Sequence, residues 1–560
     1  MLNGGHVIIS REPALLDSPP SLGVSASNLP RMLAIVAALA GSAAWVVFFR
    51  QGVVLSHYDA KAHLVVARRV FDNLTPGWQQ IGAVWLPLPH LLDMLPVQVD
   101  LFYRTGLFAS LVSVACLAIT CYAAARLILR ATSSSAGAVT SSVLLVFNPN
   151  LLYLHTTPMT EPLLLAATFL VVLWLVEWID SPGFGIRHAP SGVDRDSRSA
   201  VPWKLACALF GAMWTRYEAW PVVAAAIAAA GYAMWRLGAS LPVLLGRITR
   251  LAFWPASAVA LFLLNSRITV GAWFVSDGFY VVDPTYAHQP WRTLIGIWWG
   301  THQLSGYIIE TVALVAAAWV AWRAFVRGHD SSRLIMLALF ATAVLPLVAF
   351  YDGHPYRIRY MIPTAAACAL FGGLGVGILQ AHVGRTFKVR RTGVRGSAEE
   401  SSNRSGVALA LSAILLASLL VESPPWNPQA PMLVEAQWDR GASVGRRQVT
   451  ACLARDYRGE KVLASMGSLA HYMQELSTNG FHIADFINEG NGEIWNLALA
   501  TGPAPHAGWM LVEEVAEGGD VLAARITSNG AFVIGMRRVC EGGGVALYKR
   551  DLNAQTASRR

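Results

Sequence analysis

The sequence predicts an α-helical polytopic membrane protein with about eleven transmembrane helices and a small extracytoplasmic α/β domain at its C-terminus. Three observations predict it. Of 560 residues, 54% are hydrophobic, only 14% are charged and 20 are tryptophan, a balance far from that of a soluble globular chain. Apolar stretches of bilayer length recur from residue 31 to residue 421 and then stop. Beyond them, short apolar runs alternate with helical lengths, the pattern of a small α/β domain. The formal net charge of +9 is carried mostly by arginines in short loops between apolar segments, where they set orientation; this reading leaves no role for nucleic acid.

Taken in order, residues 1–30 are polar, with several Pro and Ser and no basic start followed by a cleavage site. They read as a disordered cytoplasmic tail. The transmembrane part is expected over 31–421, interrupted by a long outer loop at 50–103. Its spans are placed at 31–49, 104–129, 137–154, 161–179, 204–216, 219–236, 251–270, 305–325, 334–350, 360–380 and 406–421. With the N-terminus in the cytoplasm, Arg126 and Arg130, Arg187, Arg195, Arg198 and Lys204, Arg236, Arg247 and Arg250, and Arg323, Arg327 and Arg333 all fall on the inner side. The strongest cluster, Arg385 to Arg404, falls there too. An odd number of spans then delivers residues 422–560 to the outside together with the 50–103 loop. The abundance of Ala and of Arg over Lys hints at a GC-rich bacterial genome; a bacterial cytoplasmic membrane is the expected location, although an endoplasmic reticulum membrane would fit the same topology.

Pro424 and Pro425 open the C-terminal domain, whose strands are expected at 461–465, 481–486, 509–514, 531–536 and 545–549. The glycines near 541–544 lack the strand-turn-helix context of a phosphate-cradling loop. Cys116, Cys121, Cys207 and Cys368 lie in spans and read as small buried apolar side chains. Cys452 and Cys540 are the only pair in the outer domain, and an oxidising compartment would permit them to bond.

The stretch from Ser56 to Pro96 is too polar to cross a bilayer and too apolar for an ordinary loop. It gathers Asp59, His57, His63, His90, Lys61, Arg68 and Arg69. If Asp59 begins a helix, His63 lies one turn on, and Val66 and Arg69 continue the same face. Such a helix would lie along the membrane surface. Other ionisable groups are expected at the same face: Glu161 in PMTEP, Arg216 and Glu218 in WTRYEAW, Asp277 and Asp283 in SDGFYVVDP, and His354, Arg357 and Arg359 in YDGHPYRIRYMIP. Such groups are costly unless paired or facing a water-filled cavity, so a shared cavity is expected. Structural roles stand beside these readings. Asp59 could complete a capping box begun by Ser56, Arg68 and Asp72 are spaced as an i, i+4 pair, and Glu161 and Glu218 could neutralise Arg216. Trp78, Trp85 and Trp220 read as interfacial anchors. A buried acid among arginines suits deprotonation of a hydroxyl while a phosphate departs, because guanidinium forks match phosphate oxygens.

With YDAKAHLVVARRVFD, PMTEPLLL, TRYEAW and RIRYMIP in this order, the chain resembles the GT-C superfamily of polyprenyl-phosphate-sugar-dependent glycosyltransferases. The protein mannosyltransferases and the bacterial lipid A aminoarabinose transferases are the branches it looks most like. The resemblance covers about residues 31–421. It implies an inverting transfer from a polyprenyl-phosphate sugar to an acceptor hydroxyl on a protein, lipid or polysaccharide. Asp59 would be the catalytic carboxylate, and Arg359 with Arg357 would contact the lipid phosphate. His63, Arg69, Glu161, Arg216, Glu218, Asp283, His354 and Tyr360 would complete the substrate site. Several GT-C members carry a second acid directly after the first, where this chain has Ala60. That favours a metal-independent base, although Asp59 with His63 could still hold a divalent metal ion. No other cofactor is implied. Two further classes remain, a lipid-linked sugar transporter or flippase, which would favour internal repeats that are not seen, and a membrane-anchored assembly protein.

Overall fold

The computed structural model describes residues 24–181, 184, 200–275, 280–327, 330–390, 398–515 and 518–551. Asp277, Arg187, Arg195, Arg198, Arg391, Arg395 and the tail before Val24 lie outside them. The protein is a helical bundle with a small mixed sheet appended at its C-terminal end. Among the described residues, seven helices are long and apolar enough to cross a membrane: Asn28–Arg50, Leu107–Thr132, Glu161–Ile179, Leu241–Thr269, Tyr307–Val326, Ser331–Tyr351 and Ile358–His382. Ser135–Phe147, Trp203–Met213 and Gly406–Glu422 are apolar but shorter, and Ala219–Arg236 is helical over 18 residues.

Several boundaries differ from the sequence reading for local reasons. The first helix begins at Val24, inside the stretch assigned to the tail, and contains Pro30. The segment expected as one span at 137–154 is two helices, because Asn148 is extended (φ −66°, ψ 120°) and its side chain caps a second helix, Pro149–Leu154, by accepting from the Asn150 and Leu151 N–H groups. Pro149 then sits where its missing N–H costs nothing. A helix over Pro290–Ser305 lies in what reads from the sequence as loop; its Trp-rich composition and lack of an unbroken apolar run hide it.

Chain direction sorts the ionisable residues to two ends of the bundle. Where the Leu107–Thr132 and Glu161–Ile179 helices finish, Arg126 pairs with Glu177, Lys204 reaches the same carboxylate at 3.3 Å, and Arg130 stands 3.7 Å from Asp180. Asp59, Glu161, Arg216 and Arg359 gather at the opposite end, beside the C-terminal domain.

That domain holds a five-stranded sheet of β1 (Val462–Ala464), β2 (Phe486–Ile487), β3 (Trp509–Glu513), β4 (Met536–Gly542) and β5 (Val545–Arg550), in the order β2-β1-β3-β5-β4. β1 runs parallel to β2 and β3, and β5 is antiparallel to β3 and β4. The stretch at 531–536 is mostly a short helical turn, Gly530–Val533, and β4 starts only at its last residue. Gly543 and Gly544 form the two-residue β4–β5 turn with φ of 59° and 77°, the left-handed geometry such hairpins need. Cys452 and Cys540 are bonded, joining the Arg440–Asp456 helix to β4 across a Cα separation of 6.5 Å.

The sheet domain does not bury its core alone. Leu64, Val65 and Ala67 from the 50–103 loop form one apolar cluster with Val449, Leu453, Leu469, Tyr472, Met473 and Leu547. Burying a Leu or Val side chain contributes roughly 1.5–3 kcal/mol, so the loop and the domain hold each other in place.

Candidate functional site

The helix Tyr58–Arg68 carries Asp59 in its first turn and is buried from Asp59 to Arg68. It is clamped between the bundle and the Met466–Leu476 helix instead of lying open at a surface. Its cap is His57, not Ser56: the His57 Nδ1 accepts from the Asp59 N–H at 3.1 Å. Ser56 Oγ reaches only the Gly52 carbonyl, at 3.5 Å. The capping-box role for Asp59 is therefore not used, and its carboxylate is directed to Arg359.

Asp59 and Arg359 form a short ion pair, both buried. The Arg359 Nη1 also lies 3.2 Å from the His57 Nε2, which in turn is 3.8 Å from Glu435. Glu435 Oε2 accepts the Ile358 N–H at 2.7 Å, fixing the backbone immediately before Arg359. Burial alone would raise the Asp59 carboxyl, but the Arg359 guanidinium more than offsets it and holds it well below the usual carboxylate range. Asp59 is thus ionised at any physiological pH.

A second cluster adjoins the first. Arg216 bridges two carboxylates, at 3.1 Å to Glu161 and 2.8 Å to Glu218, and its Nη1 donates to Thr160 at 2.9 Å. Glu161 is wholly buried, and among the described residues that guanidinium alone stands within salt-bridge distance of it. The Tyr360 ring lies between the two arginines, 6.0 Å from the Arg216 and 5.5 Å from the Arg359 guanidinium carbon. His354 touches Tyr360 through a 3.3 Å contact between Nε2 and the hydroxyl.

His63 meets His90, with Nδ1 and Nε2 3.1 Å apart, and packs on Trp85 at 4.2 Å. Burial, followed by the neighbouring His90, drives His63 well below its ordinary value. Burial and then Arg69 bring His90 down to about 3. Both imidazoles are therefore neutral at pH 7. Beside them lies a cleft of about 20 Å³ bordered by Asp93, Ser113 and Thr160, room for about one water.

The remaining expected residues lie apart from Asp59. Arg69 donates to the Gln80 carbonyl and contacts the Met466 sulfur at 2.7 Å, facing the C-terminal domain. Arg357 is buried over the Trp438 ring at 5.1 Å. Asp283 closes a turn by accepting the Thr285 N–H at 2.9 Å. Asn73 is buried and bonds Asn491 at 2.6 Å and Gln80 at 3.1 Å, tying the 50–103 loop to the C-terminal domain. Glu435 and His57 are the participants the sequence reading did not assign. Glu435 stands alone in a short helix, Pro431–Ala436, and offers no sequence signal. His57 could have been found as the residue two before the acid, in capping position.

A divalent ion does not fit the donor set. The Asp59 oxygens face a guanidinium, His63 is engaged with His90, and among the described residues no group of three or more His, Cys, Asp or Glu side chains could hold a metal.

The C-terminal domain reaches the Asp59 helix through Lys61, whose Nζ is 2.5 Å from Glu475. Glu475 is also held by Arg446, which is fully buried and shared with Asp439 at 2.5 Å. Although burial opposes it, Lys61 and Arg446 bring the Glu475 carboxyl down to about 2. A double-mutant cycle of Lys61→Met and Glu475→Gln should give a coupling of about 0.5–3 kcal/mol in thermal unfolding. Additive effects would show that the pair does not dock the helix.

Asp93 carries a buried oxygen with no hydrogen-bond partner, and burial pushes its carboxyl from 3.8 up to about 7. The folded state keeps this proton to about pH 7 while the unfolded chain releases it near 3.8. Folding therefore takes up a proton in that window, and the contribution to stability falls as pH rises through it. Asp93→Asn should unfold at a higher temperature than wild type at pH 8 and at a similar one at pH 4. Equal midpoints at pH 8 would contradict the assignment.

No protein-family model matches the chain, and no curated protein is similar to it at a significant level.

Proposed function

We propose that the chain is an integral membrane glycosyltransferase of the GT-C type. It would move a sugar from a polyprenyl-phosphate donor to an extracytoplasmic acceptor hydroxyl with inversion at the anomeric carbon. In this reading the seven long helices, the shorter apolar ones and Ala219–Arg236 give eleven crossings, and Asp59 and the C-terminal domain face outward from a bacterial cytoplasmic membrane. The observation that carries it is the buried Asp59–Arg359 pair set beside the Glu161–Arg216–Glu218 bridge. A carboxylate and two guanidiniums are thereby brought together at one end of an apolar bundle, where a lipid-borne phosphate arrives without crossing water.

The chemistry follows from the pairing. A donor phosphate competes with Asp59 for Arg359, and as it wins, the carboxylate loses the partner that holds its basicity down. Asp59 then takes the proton of the acceptor hydroxyl as that oxygen attacks the anomeric carbon. The bond from the anomeric carbon to the phosphate oxygen breaks, and its electrons leave with the lipid phosphate, whose charge Arg359 and Arg216 stabilise. The neutral His63–His90 pair shapes the sugar side of the cleft. A sugar is larger than the 20 Å³ cleft beside His63 and His90, so binding there requires that cleft to widen.

Purified full-length chain in lipid nanodiscs, given a panel of polyprenyl-phosphate sugars with and without a chelator, tests this reading. Release or transfer of sugar that persists in chelator supports it. No turnover with any donor, together with donor flipping in liposomes, would replace it with the transporter reading.

A further inference from the structure

A second cavity lies at the other end of the bundle, and the function above makes no use of it. It measures about 330 Å³ and is walled by Trp319 and Val320 on one helix and by Leu374 and Ile378 on another. Arg130, Arg323 and Arg333 stand at its polar side. Two carboxylates reach these three guanidiniums. Asp330 lies 3.1 Å from Arg323 and 2.9 Å from Arg333, and Asp180 lies 3.7 Å from Arg130. His382 closes the wall with its ring edge-on to Trp319 at 4.6 Å. The cavity is separate from Asp59: the helix Ile358–His382 links the two, and its 25 residues span about 35 Å, a full bilayer core.

A concave site with guanidinium forks on one side and an apolar wall on the other matches a phosphate ester borne by an apolar body. We propose that this cavity binds a phosphate-ester anion at the membrane face opposite Asp59, with the phosphate between Arg323 and Arg333 and the attached group along Trp319 and Ile378. The phosphate displaces Asp330 from the two arginines. Either a phospholipid headgroup or a soluble phosphate ester supplies that chemistry, and only the lipid uses the apolar wall.

Delipidated full-length protein is titrated with dioctanoyl phosphatidic acid, dioctanoyl phosphatidylcholine and glycerol 3-phosphate, with bound species counted by native mass spectrometry. Phosphatidic acid is expected to bind more tightly than phosphatidylcholine, and the Arg323→Gln/Arg333→Gln variant to weaken it by about tenfold or more. Arg236→Gln, a basic residue outside the cavity, should leave it unchanged. Asp330→Asn should tighten binding by removing the competing carboxylate. Ala381→Trp, which keeps every charge but fills the cavity, should block it and stands in if the double variant does not fold. Tighter binding of the lipid than of glycerol 3-phosphate assigns the site to a lipid, and equal binding assigns it to a soluble ester. Phosphatidic acid binding that is unaffected by both the double variant and Ala381→Trp overturns the proposal.

Discussion

Asp59→Asn is expected to lower sugar transfer by roughly 10²–10⁴-fold, the usual contribution of a positioned general base. Asn keeps the size of the side chain and can still accept from Arg359, so the local geometry survives while the proton acceptor is lost. Because Asp59 is ionised far below neutrality, wild-type activity should not fall with acid until well under pH 5 unless the donor has displaced Arg359. In the donor complex the carboxyl is freed of that partner, so the acid limb of kcat should lie at higher pH than that of kcat/KM. A folded Asp59→Asn protein with wild-type turnover would remove Asp59 from the chemistry and turn attention to Glu161. An Asp59→Asn chain that fails to fold is distinguished by its unfolding midpoint.

Arg359→Gln should show the second large effect, in two readouts at once. It strips the phosphate of its nearest fork and leaves Asp59 buried without its counter-charge. Breaking a buried pair by removing one partner costs about 3–5 kcal/mol, so the unfolding midpoint should drop clearly. Transfer should fall by about 10²–10³-fold, the scale of losing one charge-stabilising donor. Arg359→Lys restores the charge but not the planar fork. It should recover most of the stability and only part of the rate. Full recovery of rate by Lys would show that geometry at the phosphate is unimportant, and loss of stability with no loss of rate would make Arg359 purely structural.

The residues at this site that were legible in the sequence share one property: each is an ionisable group at the end of an apolar run, where the cost of burial demands a partner. That rule finds Asp59, Glu161, Arg216, Glu218 and Arg359, and the structure places all five in two adjoining ion clusters. It fails for Asp283 and Arg69, which satisfy themselves locally through a turn N–H and a backbone carbonyl. It cannot see the His57–Glu435 or the Lys61–Glu475 contact, because a partner about 400 residues away is set by packing and leaves no spacing to read. The fold divides in the same way. Long unbroken apolar stretches are read at once, whereas Asn148 breaks an apolar run that composition alone presents as one helix. The core shared by the 50–103 loop and the C-terminal domain is likewise invisible, since each contributor looks like an ordinary amphipathic segment.

The central claim is that a lipid-borne phosphate takes the place of Asp59 on Arg359. A cryo-electron microscopy structure of the full chain in nanodiscs, bound to a non-transferable phosphonate analogue of a polyprenyl-phosphate sugar, tests it directly. The account predicts the phosphonate within hydrogen-bond distance of Arg359 and Arg216, the anomeric carbon facing Asp59, and the cleft at His63 and His90 opened to admit the sugar. An analogue seated elsewhere, with the Asp59–Arg359 pair intact and the cleft still closed, would contradict it.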